Sequence, residues 1–312
     1  MKLRHFFIAC ALALCNISGQ LQAHSGGNYV HSDMVESLQA NDKAALLMVY
    51  FGTTHDDTRK ATIDAMTEKA KAAFPSLTVY EAYTSRIVKR RLEARGIKKM
   101  NPIEALAQLK ADGFTHVIVQ ATNIIDGVEM ESLRKDIAQM EPLFKEIRLG
   151  TPLLYSPEDY EKVIQAVLPR KQDGAMNVLV GHGTYAPETA QYAMFAYMLQ
   201  TEGHEDFTVA TVEGYPTFDM ALAYLDKHAK TKKVQLIPFM FVAGDHAKND
   251  INGEMRETLE ARGYTVSTLL EGLGQQSAIQ ELFLNHIRFA LHHKLIDISE
   301  KKKEYAAGKD VH

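Results

Sequence analysis

The chain has 312 residues, 46% hydrophobic and 24% charged, the balance of a globular protein with enough length for two domains of ordinary size. A formal net charge of -4 argues against a nucleic-acid binder, which needs a basic face, so an anionic ligand must rely on local arginines and lysines. Only two cysteines are present, Cys10 and Cys15, and both lie in the first two dozen residues.

Residues 1–23 read as a separate object. Lys2, Arg4 and His5 precede an apolar run from Phe6 to Cys15, and Leu21-Gln22-Ala23 supplies a small-residue cleavage site before His24. This is the pattern of a cleaved secretory signal, too short to span a bilayer. Its removal takes both cysteines with it. The mature chain then holds no disulfide, thiolate metal site or cysteine nucleophile, and its chemistry falls to histidine, carboxylate and hydroxyl groups. An export signal on a cysteine-free α/β body predicts a bacterial periplasmic protein, with no integral membrane segment once mature.

A polar leader, residues 24–41, precedes the first strand. The elements then follow in order: strand Ala44 to Phe51, helix Asp57 to Phe74, strand Leu77 to Tyr83, strand Thr115 to Ala121, helix Met130 to Met140 and strand Ile147 to Gly150. After the turn formers of Pro169 to Gly174 come strand Met176 to Gly181, helix Pro187 to Gln200, strand Phe207 to Glu213 and helix Phe218 to Lys230. Strand Val234 to Phe239, helix Glu254 to Arg262, strand Thr265 to Leu270 and helix Ala278 to Lys294 complete the body. Alternating strands and helices imply parallel sheets with right-handed crossovers. Both halves open alike, Leu46-Leu-Met-Val-Tyr-Phe-Gly-Thr and Val178-Leu-Val-Gly-His-Gly-Thr. The reading is two similar Rossmann-like α/β domains, residues 42–168 and 169–298, each a four-stranded parallel sheet flanked by helices, facing across a cleft. Residues 299–312, without apolar periodicity, read as a solvated tail.

In such sheets ligands bind outside the carboxyl ends of the strands. His182, between two glycines at a strand end, is the strongest candidate there, because the glycines leave the imidazole open to a large ligand. His246 follows the strand ending at Phe239, with Asp245 and Asp250 available to hold its tautomer; alternatively Asp245 or Asn249 caps the next helix and His246 is simply solvated. Glu129 begins a helix after Asp126-Gly127, where acidic residues are common for helix-dipole reasons, yet it shares the rim. Two imidazoles and a carboxylate at one rim make a site for a divalent metal. His55-Asp56-Asp57 reads as an N-cap by Thr54 or Asp56, with the Gly52-Thr53-Thr54 backbone available to a ligand. Glu213 ends another strand and lines the cleft. The run Arg86-Ile-Val-Lys-Arg-Arg is by default a solvated helix face, from which Arg86 or Lys89 could reach an anionic substrate. Gly-x-Gly-x-x-Gly after the first strand, a Walker loop, His-Glu-x-x-His and Gly-x-Ser-x-Gly are all absent.

From about Ala44 to His293 the chain resembles the anaerobic CbiK-type sirohydrochlorin cobaltochelatases, class II chelatases related in fold to ferrochelatase. The resemblance rests on Phe51-Gly-Thr, Ala82-Tyr-Thr-Ser, Ile124-Ile-Asp-Gly-Val-Glu-Met-Glu, Gly150-Thr-Pro-Leu-Leu, Gly181-His-Gly, Glu213-Gly-Tyr-Pro, Val242-Ala-Gly-Asp-His-Ala-Lys-Asn-Asp and Gly272-Leu-Gly, in that order. It implies that the family's metal-site histidines fall on His182 and His246 and its glutamate on Glu129, and that the activity is insertion of Co2+ into sirohydrochlorin. His182 is then the base that takes a pyrrole proton, since imidazole exchanges protons near neutral pH. Asn123 stands where some members have a histidine. Affinity order alone does not select Co2+ over Fe2+. Rival readings keep the fold and assign it to periplasmic carriage of haem or a metal tetrapyrrole, to ferrochelatase-type Fe2+ insertion, or to reception of free metal; a homo-oligomer is compatible with all of them.

Overall fold

A computed structural model describes residues 28–308 of the chain. The predicted signal at residues 1–23 lies outside the described residues. In chain order the elements are β1 (Tyr29–His31), β2 (Ala44–Tyr50), α1 (Asp56–Arg59), a π-helical segment (Lys60–Asp64), α2 (Ala65–Ala73), β3 (Thr78–Tyr83), α3 (Arg86–Glu93), α4 (Pro102–Ala111), β4 (His116–Ala121), α5 (Val128–Met140), β5 (Glu146–Leu149) and α6 (Pro157–Val167). The second half continues with β6 (Met176–Thr184), α7 (Ala190–Thr201), β7 (Phe207–Gly214), α8 (Phe218–His228), β8 (Lys233–Pro238), a second π-helical segment (Ala247–Met255), α9 (Arg256–Ala261), β9 (Thr265–Thr268), α10 (Ser277–His292), β10 (His293–Leu295) and α11 (Ile298–Ala306).

All eight predicted strands form. They make two four-stranded parallel sheets with the same internal order, β3-β2-β4-β5 and β7-β6-β8-β9. Along β2 the side chains alternate between two apolar layers: Leu46, Met48 and Tyr50 face the layer shared with α2 and α10, and Ala45, Leu47 and Val49 face the layer under α4 and α5. In β6, Leu179 likewise points to the shared layer, Val178 and Val180 to the one under α8 and α9. The shared layer runs continuously through both halves. Its stacked Phe195 and Phe239 rings, 4.8 Å apart, sit in the same cluster as Tyr50, Ile118 and Phe283. α10 packs back on β4, β5 and α2.

Helix starts follow local chemistry. Ser85 and Thr217 cap α3 and α8, while Asn101 with Glu104 and Ser156 with Asp159 form capping boxes ahead of prolines at the first helical position of α4 and α6. At the start of α1, however, neither Thr54 nor Asp56 caps: His55 occupies the capping position without a side-chain bond.

The polar leader and tail carry structure that their patterning did not announce. β1 pairs antiparallel with β10, His31 opposite His293, and Met34 is fully buried. Arg148 of β5 explains the attachment. Its guanidinium donates to the carbonyls of Ser32, Ala290 and Leu291 at 2.6, 3.0 and 2.8 Å, satisfying the open end of α10 while holding the leader against it. Of the predicted tail, residues 299–306 are helical, as part of α11, with Ser299, Glu300, Lys302 and Lys303 exposed, and residues 309–312 lie outside the described residues.

Candidate metal centre

Each sheet begins with a central strand, crosses to one neighbour and then to the other. The crevice in such an order opens between the first and third strands, at their carboxyl ends. In the second sheet these are β6 and β8. Their pairing stops at Val180 opposite Pro238, with the Phe239 amide donating to the Val180 carbonyl at 2.7 Å, whereas β6 continues beside β7 as far as Thr184. His182 therefore lies on a stretch of β6 that has lost its β8 neighbour. The chain after β8 returns to the same place and delivers His246.

The two rings meet edge to face, centroids 4.7 Å apart and planes at 87°. The Nδ1–H of His182 donates to the Gly183 carbonyl at 3.1 Å, and that of His246 to Asp250 Oδ2 at 2.6 Å. Carbonyl and carboxylate oxygens only accept, so both rings carry their proton on Nδ1 and keep the Nε2 lone pair available. A ligating histidine is oriented in this way, through the nitrogen that does not bind. Between the alternatives open from sequence, it is Asp250 that holds His246. Neither Asp245 nor Asn249 caps the helix.

The glycines around His182 have separate reasons. Gly181 lies on the Tyr192 ring, where a side chain would collide. Gly183 has φ +83° and would drive a Cβ into the Glu213 carbonyl oxygen of the adjacent strand. Burial pushes the Tyr192 phenol up, so the hydroxyl beside this end of β6 stays neutral.

The remaining predicted residues are placed as follows. Glu129, in the first turn of α5 beyond β4, is half-buried. Among the described residues no three His, Cys, Asp or Glu side chains gather in a metal-binding group, so the structure joins His182 to His246 but does not bring Glu129 to them. Glu213 is half-buried near the end of β7, opposite Gly183. Gly52 and Thr53 are buried and Thr54 half-buried in the turn after β2; the Thr53 hydroxyl accepts from the His55 amide at 3.2 Å. Arg86 is exposed in the first turn of α3, and Lys89 is paired with Glu104 at 2.5 Å.

Sequence reasoning missed Arg91, on the same basic run, which reaches Asp245 at 2.9 Å. His55 binds the other oxygen of that carboxylate at 2.8 Å. These two hydrogen bonds, His55 first, hold the Asp245 carboxyl below the usual carboxylate range. The signal was present, since His55 and Asp245 both sit in strand-end turns, but nothing in one sequence joins turns from different sheets. Large apolar side chains stand exposed at or near strand ends and helix starts: Phe51 after β2, Ile87 in α3, Val128 in α5, Tyr185 after β6 and Tyr215 after β7. Among the described residues no helix is long and apolar enough to cross a membrane.

The sequence model of the family described as cobalt chelatase (CbiK) matches residues 44–292. A sirohydrochlorin cobaltochelatase of Salmonella typhimurium is 35% identical over 257 residues, covering 80% of this chain and 97% of that protein. The sirohydrochlorin cobaltochelatase CbiKC of Nitratidesulfovibrio vulgaris is 31% identical over 261 residues, covering 80% and 91%. Among solved structures, SirB from Bacillus subtilis with Fe3+ superposes with a TM-score of 0.58 at 16% identity, over 80% of this chain and 96% of SirB, which is a likeness of fold. With a family match that spans the whole two-sheet body, the chain belongs to the cobalt chelatase (CbiK) family.

Proposed function

We propose that this protein inserts Co2+ into sirohydrochlorin, with His182 as metal ligand and base and with His246 and Glu129 completing the metal site. The observation that carries the reading is the His182–His246 pair, with both Nδ1 protons directed into the protein and both Nε2 lone pairs kept for an ion. Two neutral imidazoles bind Co2+ without holding it irreversibly, and they leave coordination positions for the ring nitrogens. As the ion passes to the macrocycle, His182 Nε2 takes a pyrrole proton while its Nδ1–H stays on the Gly183 carbonyl. Glu129 enters from the opposite sheet once the ring is bound, adding charge that balances the ion and relaying the second proton. The exposed Phe51, Ile87, Val128, Tyr185 and Tyr215 supply apolar surface suited to a large planar ligand. The turn from Gly52 to Thr54 and the Arg86 and Glu213 side chains lie within this proposed substrate site.

The purified protein, sirohydrochlorin and Co2+ are mixed and the absorption change is followed, with Fe2+ as the comparison metal. Many turnovers per protein molecule with Co2+ are expected. A change that stops at one equivalent of protein would replace insertion with carriage, and faster turnover with Fe2+ would replace the metal. The basic, apolar and small-residue succession of residues 1–23 supports a periplasmic site of action. Periplasmic protein should then begin at about His24 by mass spectrometry.

A further inference from the structure

Side chains from the two halves of the chain meet beside the turn that follows β2. His55 donates from Nε2 to Asp245 Oδ1 at 2.8 Å and accepts from Lys248 Nζ on Nδ1 at 3.2 Å, while Arg91 of α3 donates to Asp245 Oδ2 at 2.9 Å. Arg95 donates to the Thr54 carbonyl at 2.8 Å, fixing the turn that presents His55. Gly244 lies beside Thr53, close enough that a Cβ would stand 3.6 Å from the threonine hydroxyl.

The other side of the same loop is held as well. The amides of Leu273 and Gly274 donate to the carbonyls of Met240 and Phe241 at 2.8 and 2.9 Å, and Gly272 has no room for a side chain against Phe241 to Ala243. The loop from Phe239 to His246 is thus held on one side within its own half, while towards the first half Phe241 packs near Tyr50, rings 5.8 Å apart, and Asp245 makes the side-chain hydrogen bonds to Arg91 and His55. Beyond it the chain enters the π-helical segment Ala247–Met255, a local irregularity of the sort that accompanies functional sites.

We propose that Asp245 is a positioning residue: clasped by Arg91 and His55 of the other half of the chain, it holds the adjacent His246 in register with His182 to receive the ion. This rests on the reading of the two histidines as the metal site. The side chains of Asp245 and Arg91 are 49% and 57% exposed, and ion pairs of that exposure contribute little to stability. The clasp accordingly opens at small cost when the macrocycle enters, and its effect is on the placement of one loop.

Co2+ titration of the full chain, read by the visible absorption of the bound ion, tests it on Asp245→Ala, Arg91→Ala and the double variant. Each single change should raise the Co2+ Kd about tenfold, in the range seen when the partner that orients a ligand is lost. The double variant should be no worse than Asp245→Ala alone, because that change already removes the carboxylate that Arg91 binds. Arg91→Lys should recover part of the loss, and thermal midpoints should not move. An unchanged Kd in Asp245→Ala, or losses that add in the double variant, overturns the proposal. His246→Ala separates the two readings. If it raises Kd while Asp245→Ala does not, the clasp alone has failed; if it leaves Kd unchanged, the metal-site reading has failed and takes the clasp with it.

Discussion

His182 and His246 stand with ring centroids 4.7 Å apart and planes nearly perpendicular, although the chain between them crosses two further strands of the sheet. Neither ring is spent on the other, since each donates Nδ1–H to its own acceptor. Replacing either by alanine should weaken Co2+ binding at least about 100-fold, the upper end of what losing an outer-shell partner costs. His182→Ala should also abolish insertion, because it removes the base. Cobalt titration and turnover, with circular dichroism to show an intact fold, check this; near-normal turnover in His182→Ala would refute the assignment of the base.

Asp250 lies one helical turn beyond His246 and receives its Nδ1–H at 2.6 Å. Asp250→Ala leaves the imidazole free to rotate and to carry its proton on Nε2, where it cannot bind metal. Co2+ affinity should fall by about 10- to 100-fold with little change in thermal midpoint. Asp250→Asn keeps an acceptor oxygen and should fall less. Equal losses in the two variants would mean that charge, and not tautomer, is what Asp250 provides.

Glu129 is not gathered with the histidines, so its contribution should appear only with the tetrapyrrole bound. Glu129→Gln is expected to leave the Co2+ Kd of the free protein within about threefold while slowing insertion by about 10²-fold, the ordinary weight of a positioned proton-transfer group. Loss of Co2+ binding in the free protein, comparable to the histidine variants, would make it a resident ligand instead.

Much of this was legible in the sequence because two periodicities dominate it. The eight strands announce themselves as apolar runs such as Leu46 to Val49 and Val178 to Val180, and Gly-His-Gly marks the end of β6, where only glycine fits on either side of the imidazole. The parts that stayed hidden depend on contacts far apart in the chain. β1 and β10 are three residues each and gain their place from Arg148 rather than from their own patterning. Arg91 looked like one charge on a solvated helix face until the fold set Asp245 beside it. Glu129 shows the limit of reading a rim from sequence. Its place at a strand-end rim was readable, but a shared rim fixes only that residues lie on one side of a sheet, not that they come within a metal's reach.

Asp159 and His286 join α6 to α10 through a hydrogen bond of 3.1 Å between side chains that are 13% and 8% exposed. Burial opposes ionisation of Asp159, but the bond from His286 and those from Ser156 outweigh it and hold the carboxyl below its ordinary 3.8. A carboxyl depressed in the folded state adds stability that is present above the unfolded value and is lost as pH falls through the folded one. His286→Ala should cost about 2 kcal/mol at neutral pH, the scale of a hydrogen bond to a charged group. The difference from the unaltered protein should shrink below pH 3.8 as Asp159 protonates. Urea unfolding as a function of pH measures both; a deficit that grows on acidification would contradict the sign.

Arg148 is the side chain through which β5, the leader and the end of α10 hold one another. It is 4% exposed, pairs with Glu146 at 3.0 Å and donates to Ser32, Ala290 and Leu291. Methionine there fills comparable space yet leaves two carbonyls of α10 and the Glu146 carboxylate without their buried donor, so Arg148→Met should cost about 3 kcal/mol. Lysine keeps the charge but not the fork, and one ammonium cannot reproduce the several donor directions of a guanidinium. Arg148→Lys should therefore recover less than half of the loss. Since Arg148 touches neither histidine, Co2+ affinity per folded molecule should stay unchanged while the midpoint of urea unfolding drops. If the leader contributed nothing to the fold, truncation through Ser32 would leave that midpoint in place; it should instead lower it by an amount that does not add to Arg148→Met, because both remove the same junction.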